Sequence, residues 1–337
     1  MFRPWISLCC VLALALAAPA QAQTDANPAA AATGFSLKLD VINPEDLLDS
    51  NRTLVIPTLY VSVLTDGSIA ASKRSGLFSS SNNVAKASAS YKVTGFDKAY
   101  VQQLAQAAYE DLVDQLRKAG YTVLTYDDVK DRDFVKAAAR QTSVGAMGLP
   151  TKSEGPNNFV YAAPSDEQVF KSGFGGGDLA EFQSGGKSRF TDATLIVPTY
   201  TFVSPQSWGE GSSGYKSVSA EVNVAEGMNM QSARATWMGQ PRVRIMTGIP
   251  GVATKFALQN VTEKSGALTK MADTTPQAAN ALSSVLNMLG GGGVIKSNSS
   301  EWQLAIDRDA YRAGVLNGVR AFNAEVAKAA AAAAPKN

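Results

Sequence analysis

Without a single histidine, this 337-residue chain offers serine, lysine and carboxylate groups as the candidates its short motifs bring forward. Ser184-Gly185-Gly186-Lys187 has S-x-x-K spacing, and Lys264-Ser265-Gly266 resembles the K-T-G that accompanies it in serine acyl transfer, a chemistry that needs no histidine. That chemistry requires the serine at a helix start and an S-x-N element between the two motifs. Here the serine lies in a glycine-rich loop, and Ser81-Asn82-Asn83 precedes both. Gly173-Phe174-Gly175-Gly176-Gly177-Asp178 has the glycines of a phosphate loop but no Lys-Ser/Thr, and it follows no strand. Asp127-Asp128, Asp131 with Asp133, and Asp307 with Asp309 could serve glycosidase or calcium chemistry. Each pair also sits where a helix begins, where aspartate caps free amides and complements the helix dipole, and capping is the reading adopted. No catalytic, cofactor-binding or metal-binding residue is therefore predicted.

The two cysteines, Cys9 and Cys10, lie in an apolar N-terminal run. With no histidine and no other cysteine, imidazole ligands, Ser-His-Asp triads and Cys-His pairs are excluded, and thiolate sites or disulfides in the rest of the chain with them. An aromatic set remains: Trp208, Tyr215 and Trp237 with Tyr200, in or beside one β-rich stretch. Trp237 is expected in the core. Trp208, in a Gly/Ser loop, and Tyr215 beside it are the candidate contacts for a partner or a glycan.

The elements that must position these residues are organised around TLVIPTLYVSVL, Thr53 to Leu64, answered by TLIVPTY from Thr194 to Tyr200. Both segments are short, apolar and β-branched, and read as buried strands. Pro57 and Pro198 fall at the same place in each; proline donates no ladder hydrogen bond, so a bulge, strand end or edge is predicted there. Phe35 to Val41 alternates as a half-buried strand. Asp66-Gly67 opens a polar, Ser-rich stretch to about Asn83 that reads as a long hairpin loop or mobile insertion. Ala85 to Val93 is a return strand.

Asp97 to Ala119 is the best-specified helix, with Asp97 as N-cap, Phe96 and Val101 as a hydrophobic staple, and Gly120 at its close. Val101, Leu104, Ala108, Leu112 and Leu116 form its apolar face. Tyr121 to Tyr126 reads as a strand and Asp127 to Arg140 as a charged helix. Residues 35–140 thus form an N-terminal α/β part. Residues 141–190 read as a Gly/Ser-rich insertion, functional or disordered. Residues 191–328 carry a second strand at 193–203, a loop from Ser204 to Gly214, an antiparallel meander through Tyr215–Val224, Ala233–Met238 and Val243–Thr247, a helix opened by Thr275-Pro276, a strand at Glu301–Ile306, and a last helix capped by Asp307 or Asp309. Tyr311, Val315, Val319, Phe322 and Val326 form the face of that helix. Gly314 and Gly318 in it form a G-x-x-x-G that predicts close packing, and the Ala-rich tail, 329–337, is expected to fray. The predicted fold class is α/β in the α+β sense, a mixed sheet with packed helices.

Met1 to Ala22 has one early positive charge, an apolar run and Ala20-Gln21-Ala22, the pattern of a secretory signal peptide followed by a flexible lead, 23–34. The net charge of +2, with signs interspersed, leaves no electrostatic footprint for nucleic acid.

The element order resembles the periplasmic domain of curli-type secretion lipoproteins: an apolar first strand, a helix closed by AGYTVL (Ala119 to Leu124), a second apolar strand LIVPTYTFV (Leu195 to Val203), a meander and a C-terminal helix. The resemblance covers roughly Leu54 to Val326. It implies a non-enzymatic α/β scaffold that assembles into rings at the outer membrane, with extended hairpins forming a barrel. The chain departs from that family in lacking a lipidated cysteine. Its strands flanking Ser204 to Gly214 also read as shorter than the roughly 9–11 residues of a membrane hairpin. The resemblance therefore implies the scaffold rather than the pore. The expected function is an exported, non-catalytic scaffold or assembly protein of the periplasm or outer membrane, acting in secretion or surface-structure assembly through protein partners or copies of itself. The alternative is a carboxylate-dependent hydrolase or binding module acting on envelope glycan.

Overall fold

The two proline-bearing strands lie side by side. In the computed structural model, which describes residues 39–42, 51–74, 84–171, 182–184, 187–213, 218–225, 228–238, 243–247, 268–273 and 295–333, the first is split by its proline into β2 (Thr53–Val55) and β3 (Tyr60–Arg74). The second, β10 (Thr194–Val203), runs through its proline unbroken. β10 pairs in parallel with both halves, Thr194 and Leu195 against Leu54 and Val55, then Thr199 to Phe202 against Tyr60 to Val63. The ladder lapses between them, where Pro57 and Pro198 lack the N–H to continue it. On its other edge β10 is antiparallel to β13 (Asn229–Met238), which pairs with β14 (Val243–Thr247), and β14 with β1 (Asp40–Ile42). These antiparallel pairs lie in a mixed sheet, so the fold class is α+β as expected, but Tyr215–Val224, expected in the meander, is not part of it: Val218–Ala225 pairs with Gln206–Ser213 in a separate two-stranded ribbon.

Polar groups freed by the break are taken up locally. The Ile56 N–H donates to the Leu124 carbonyl at 3.0 Å, and the Tyr109 hydroxyl donates to the Ile56 carbonyl at 2.6 Å. The Gln168 side chain donates to the Pro57 carbonyl at 3.2 Å, while the Thr58 hydroxyl donates to the Gln168 carbonyl at 2.7 Å. Thr58 and Gln168 are both buried, where an unpartnered polar group would cost free energy. Burial from Leu54 to Leu64 is complete on both faces of the sheet.

Alternation along the strands separates two apolar clusters. Leu54, Ile56, Val61, Val63, Ile196, Tyr200 and Phe202 face α1 (Lys98–Lys118) and α4 (Arg308–Ala333). Val55, Tyr60, Leu195 and Val197 face Val129, Val135, Phe170, Phe182 and Phe190. The helix layer is locked to the sheet by polar groups as well. The Tyr200 hydroxyl donates to Asn323 Oδ1 at 2.6 Å, and Asn323 Nδ2 donates to Asp111 at 2.8 Å, joining β10, α4 and α1. Burial, then the Asp111 charge, pushes the Tyr200 hydroxyl well above its ordinary range, so it stays a neutral donor. Gly318 is where α4 meets the sheet: a Cβ there would lie 3.4 Å from Phe202 and 3.5 Å from the Met230 sulfur. Tyr311, Val315, Val319, Phe322 and Val326 are fully buried, as their spacing predicts.

Several expectations are corrected. Asp66 to Arg74 is strand, not loop: β3 is 15 residues long, about 50 Å at strand rise, and pairs with β4 (Val84–Thr94) from Asp66↔Lys92 to Arg74↔Val84. Gly67 mimics a turn signal because packing, not turning, requires it: a Cβ would come within 2.2 Å of Asn157 Oδ1 and 2.9 Å of the Tyr91 ring. The charged segment 127–140 is two short helices, α2 (Tyr126–Val129) and α3 (Asp133–Lys136). The Arg140 guanidinium donates to the Val135 and Ala138 carbonyls and lies 4.2 Å over Phe170, ending the second. Residues 141–190 are no mere insertion, since β7 (Asn157–Ala162) pairs with β3 and with β6 (Thr151–Glu154), and Phe170, Phe182 and Phe190 fill the second cluster. Gln206 to Ser213 is strand β11, not loop. The C-terminal tail is helical to Ala333, with Ala330 buried and its carbonyl accepting from the Tyr121 hydroxyl at 3.0 Å. Phe35 to Lys38, the helix expected after Thr275-Pro276 and the expected signal peptide lie outside the described residues.

If the proline break is held by side chains as described, Gln168→Leu leaves the Pro57 carbonyl unpartnered in the core and should destabilise the fold by about 1–3 kcal/mol. Urea unfolding of the two proteins measures it, and an unchanged midpoint would refute the assignment.

Candidate functional site

Of the three aspartate pairs expected to cap helices, Asp128 and Asp307 do so, whereas the N-cap of α3 is Arg132 and neither Asp131 nor Asp133 caps it. Asp97 accepts from the Tyr100 N–H at 2.8 Å and opens α1, while its other oxygen takes the Arg308 guanidinium. Asp128 accepts from the Thr125 N–H at 2.7 Å in a capping box at α2. Asp307 accepts from the Ala310 N–H at 2.9 Å and opens α4. Asp127 pairs with Lys130, Asp131 with Lys136, and Asp192 with Arg132 through two hydrogen bonds of 2.9 Å. Each lowered carboxyl has a local cause. For Asp97 it is the Tyr100 amide and then Arg308; for Asp128 the Thr125 amide; for Asp192 the Arg132 guanidinium. Among the described residues no three acidic side chains converge as a metal would require.

Of the serine and glycine motifs only Ser184 and Lys187 are among the described residues. Ser184 and Lys187 are cross-strand partners in a small hairpin of β8 (Gln183–Ser184) and β9 (Lys187–Ser188). Lys264 to Gly266, Gly173 to Asp178 and Ser81 to Asn83 lie outside the described residues. Trp237 and Tyr200 are fully buried, as expected for core. Trp208 lies on β11 opposite Asn223, but its side chain and the whole of Tyr215 lie outside the described residues.

What the fold assembles instead is a blade. β16 (Ile295–Ile306) runs parallel to β4 along its whole length, and β15 (Leu268–Asp273) pairs antiparallel with β16. One face of β3, β4 and β16 exposes Ser68, Ala70, Ser72 and Arg74, then Lys86, Ser88, Ser90 and Lys92, then Ser299, Glu301 and Gln303. At its lower end a recess of about 410 Å3 is lined by Asp66, Gly67, Ser90, Tyr91, Lys92, Glu301, Trp302 and Gln303. The opposite face carries Ala85, Ala87 and Ala89, buried beneath a two-stranded ribbon of β11 and β12 (Val218–Ala225). Of the strands expected to be short on either side of Ser204 to Gly214, β12 has eight residues but β10 has ten, and the longer antiparallel pair is β3 with β4. Sequence reading missed the β3 arm of the blade because small Ser and Ala side chains mask a period-two pattern. The buried alanines at every second position of β4 were the blade's legible trace.

No family model, curated protein or solved structure matches the chain. No helix among the described residues is long and apolar enough to cross a membrane.

Asp97 provides a test of the capping assignment. Asp97→Ala should cost about 1 kcal/mol in urea unfolding, and Asp97→Asn, which retains an acceptor for the Tyr100 amide, clearly less. Because the folded carboxyl is held below its ordinary value, its ionic contribution is present above about pH 4 and lost as pH falls through the lowered value. Asp97→Asn should therefore flatten the wild-type loss of stability over that window, and equal slopes for the two proteins would contradict it.

Proposed function

We propose that this chain is an exported, non-catalytic scaffold that works at the cell envelope by associating with protein partners, foremost further copies of itself. The observation that carries the reading is the blade. From Gly67 to Arg74, β3 has a ladder partner on one edge only among the described residues, which leaves an open strand edge beside a flat polar face. Open edges of this length are templates for association. The resemblance to curli-type secretion lipoproteins, whose corresponding domain is a ring-forming scaffold, points the same way, with a role in secretion or surface-structure assembly.

The mass of the purified chain, and of the chain gently extracted from the cell envelope, tests it. A discrete multi-subunit particle is the expected result. A strict monomer in both preparations at every concentration would overturn the self-association at its centre.

A further inference from the structure

The β11–β12 ribbon is hydrogen-bonded into no other strand among the described residues, yet it lies on the blade, β11 over β3 and β12 over β4. Its seat is made of small groups. A Cβ added at Gly209 would stand 2.9 Å from the Ala71 Cβ, and one at Gly211 would stand 3.0 Å from the Lys73 Cβ, so the two glycines set how closely the layers approach. From β12, Val218, Ala220 and Val222 share the inward face and are only half-buried, against the buried Ala85, Ala87 and Ala89 of β4. One polar latch joins the layers, the Ser207 hydroxyl to the Tyr91 hydroxyl, which itself donates to Asn157 Oδ1 at 3.1 Å. The ribbon leaves the body after Ser204-Pro205 and returns at Met228, so both of its ends are at one place.

A module with these properties is seated by close fit, small apolar contacts and the Ser207–Tyr91 latch rather than by a strand ladder, and every copy of the chain offers the same seat. We infer that the β11–β12 ribbon is an exchangeable strap, docked on its own β3–β4 hairpin in the single chain and on the β3–β4 hairpin of a second copy in the assembled one. Exchange of an identical element preserves every contact of the closed form, which makes it a low-cost route to association. This inference rests on the self-association proposed above and names the surface through which it occurs.

Cross-linking across the seat reads out which copy the ribbon occupies. Ala71→Cys with Gly209→Cys places two cysteines across the close contact, in the full chain with Cys9 and Cys10 replaced by serine so that no other thiol competes. Lys73→Cys with Gly211→Cys is the second pair should the first disturb folding. After oxidation of the assembled particle, denaturing non-reducing electrophoresis should show covalent multimers that collapse to monomer with reductant, whereas dilute single chains should show only an internal link. A particle whose chains carry only internal links would overturn the exchange and leave self-association standing. No particle at any concentration would overturn self-association itself and the exchange with it.

Discussion

Everything in this fold depends on how a buried strand is carried past a proline. Pro57 interrupts the first organising strand inside the core, where its neighbours' peptide groups have no water to fall back on. Three segments converge to supply partners, Leu124 from β5 (Thr122–Leu124), Tyr109 from α1 and Gln168 from the turn beyond β7; the Thr58 and Tyr60 hydroxyls hold that turn in place by donating to the Gln168 carbonyl, and Tyr60 accepts the Phe170 amide at 3.0 Å. The break thereby ties the helix layer, the second apolar cluster and the sheet to one point. It also leaves β3 free to begin afresh at Tyr60 and to continue as a long strand beyond the body.

The consequence is a molecule of two textures. The body is dense with large side chains: Trp237, Tyr200, Phe202, Tyr311 and Phe322 on one side of the sheet, Phe170, Phe182 and Phe190 on the other. The contact between the blade and its ribbon is built largely from Gly, Ala, Ser and a few Val. Burying a large aromatic or aliphatic side chain stabilises by roughly 1.5–3 kcal/mol, whereas an alanine contributes far less. The body is therefore the stable part, and the blade is an extension whose layers are matched in shape but weakly held. That division suits a scaffold, where a rigid core presents surfaces that can change partner.

How much of this was legible in the sequence follows the same division. Periodicity of large apolar residues exposed the buried strands, α1 with its Asp97 cap and the face of α4, because those residues are where packing free energy is concentrated. Within the blade Ala85 to Val93 and Glu301 to Ile306 are legible as strands, but Asp66 to Arg74 reads as loop because Asp66-Gly67 looks like a turn and a serine-rich strand carries little hydrophobic signal. The segment 141–190 was misread for another reason: its phenylalanines are too far apart to show a period, and only the tertiary fold brings Phe170, Phe182 and Phe190 together. The caps at Asp97, Asp128 and Asp307 were readable from their positions, whereas Asp131 and Asp133 stand at a helix start without capping it. That the polar exposed face is continuous across β3, β4 and β16 was not readable, because it depends on a parallel pairing between residues some 210 positions apart.

Amide hydrogen exchange under native conditions tests the division of body and blade most directly. Amides of β10 and of Tyr60 to Val63 should exchange only through global unfolding, while those of β11 and β12 exchange through a local opening of much lower free energy. Protection of the ribbon equal to that of β10 would contradict the account, because a ribbon that opens only with the whole molecule is neither weakly held nor separable.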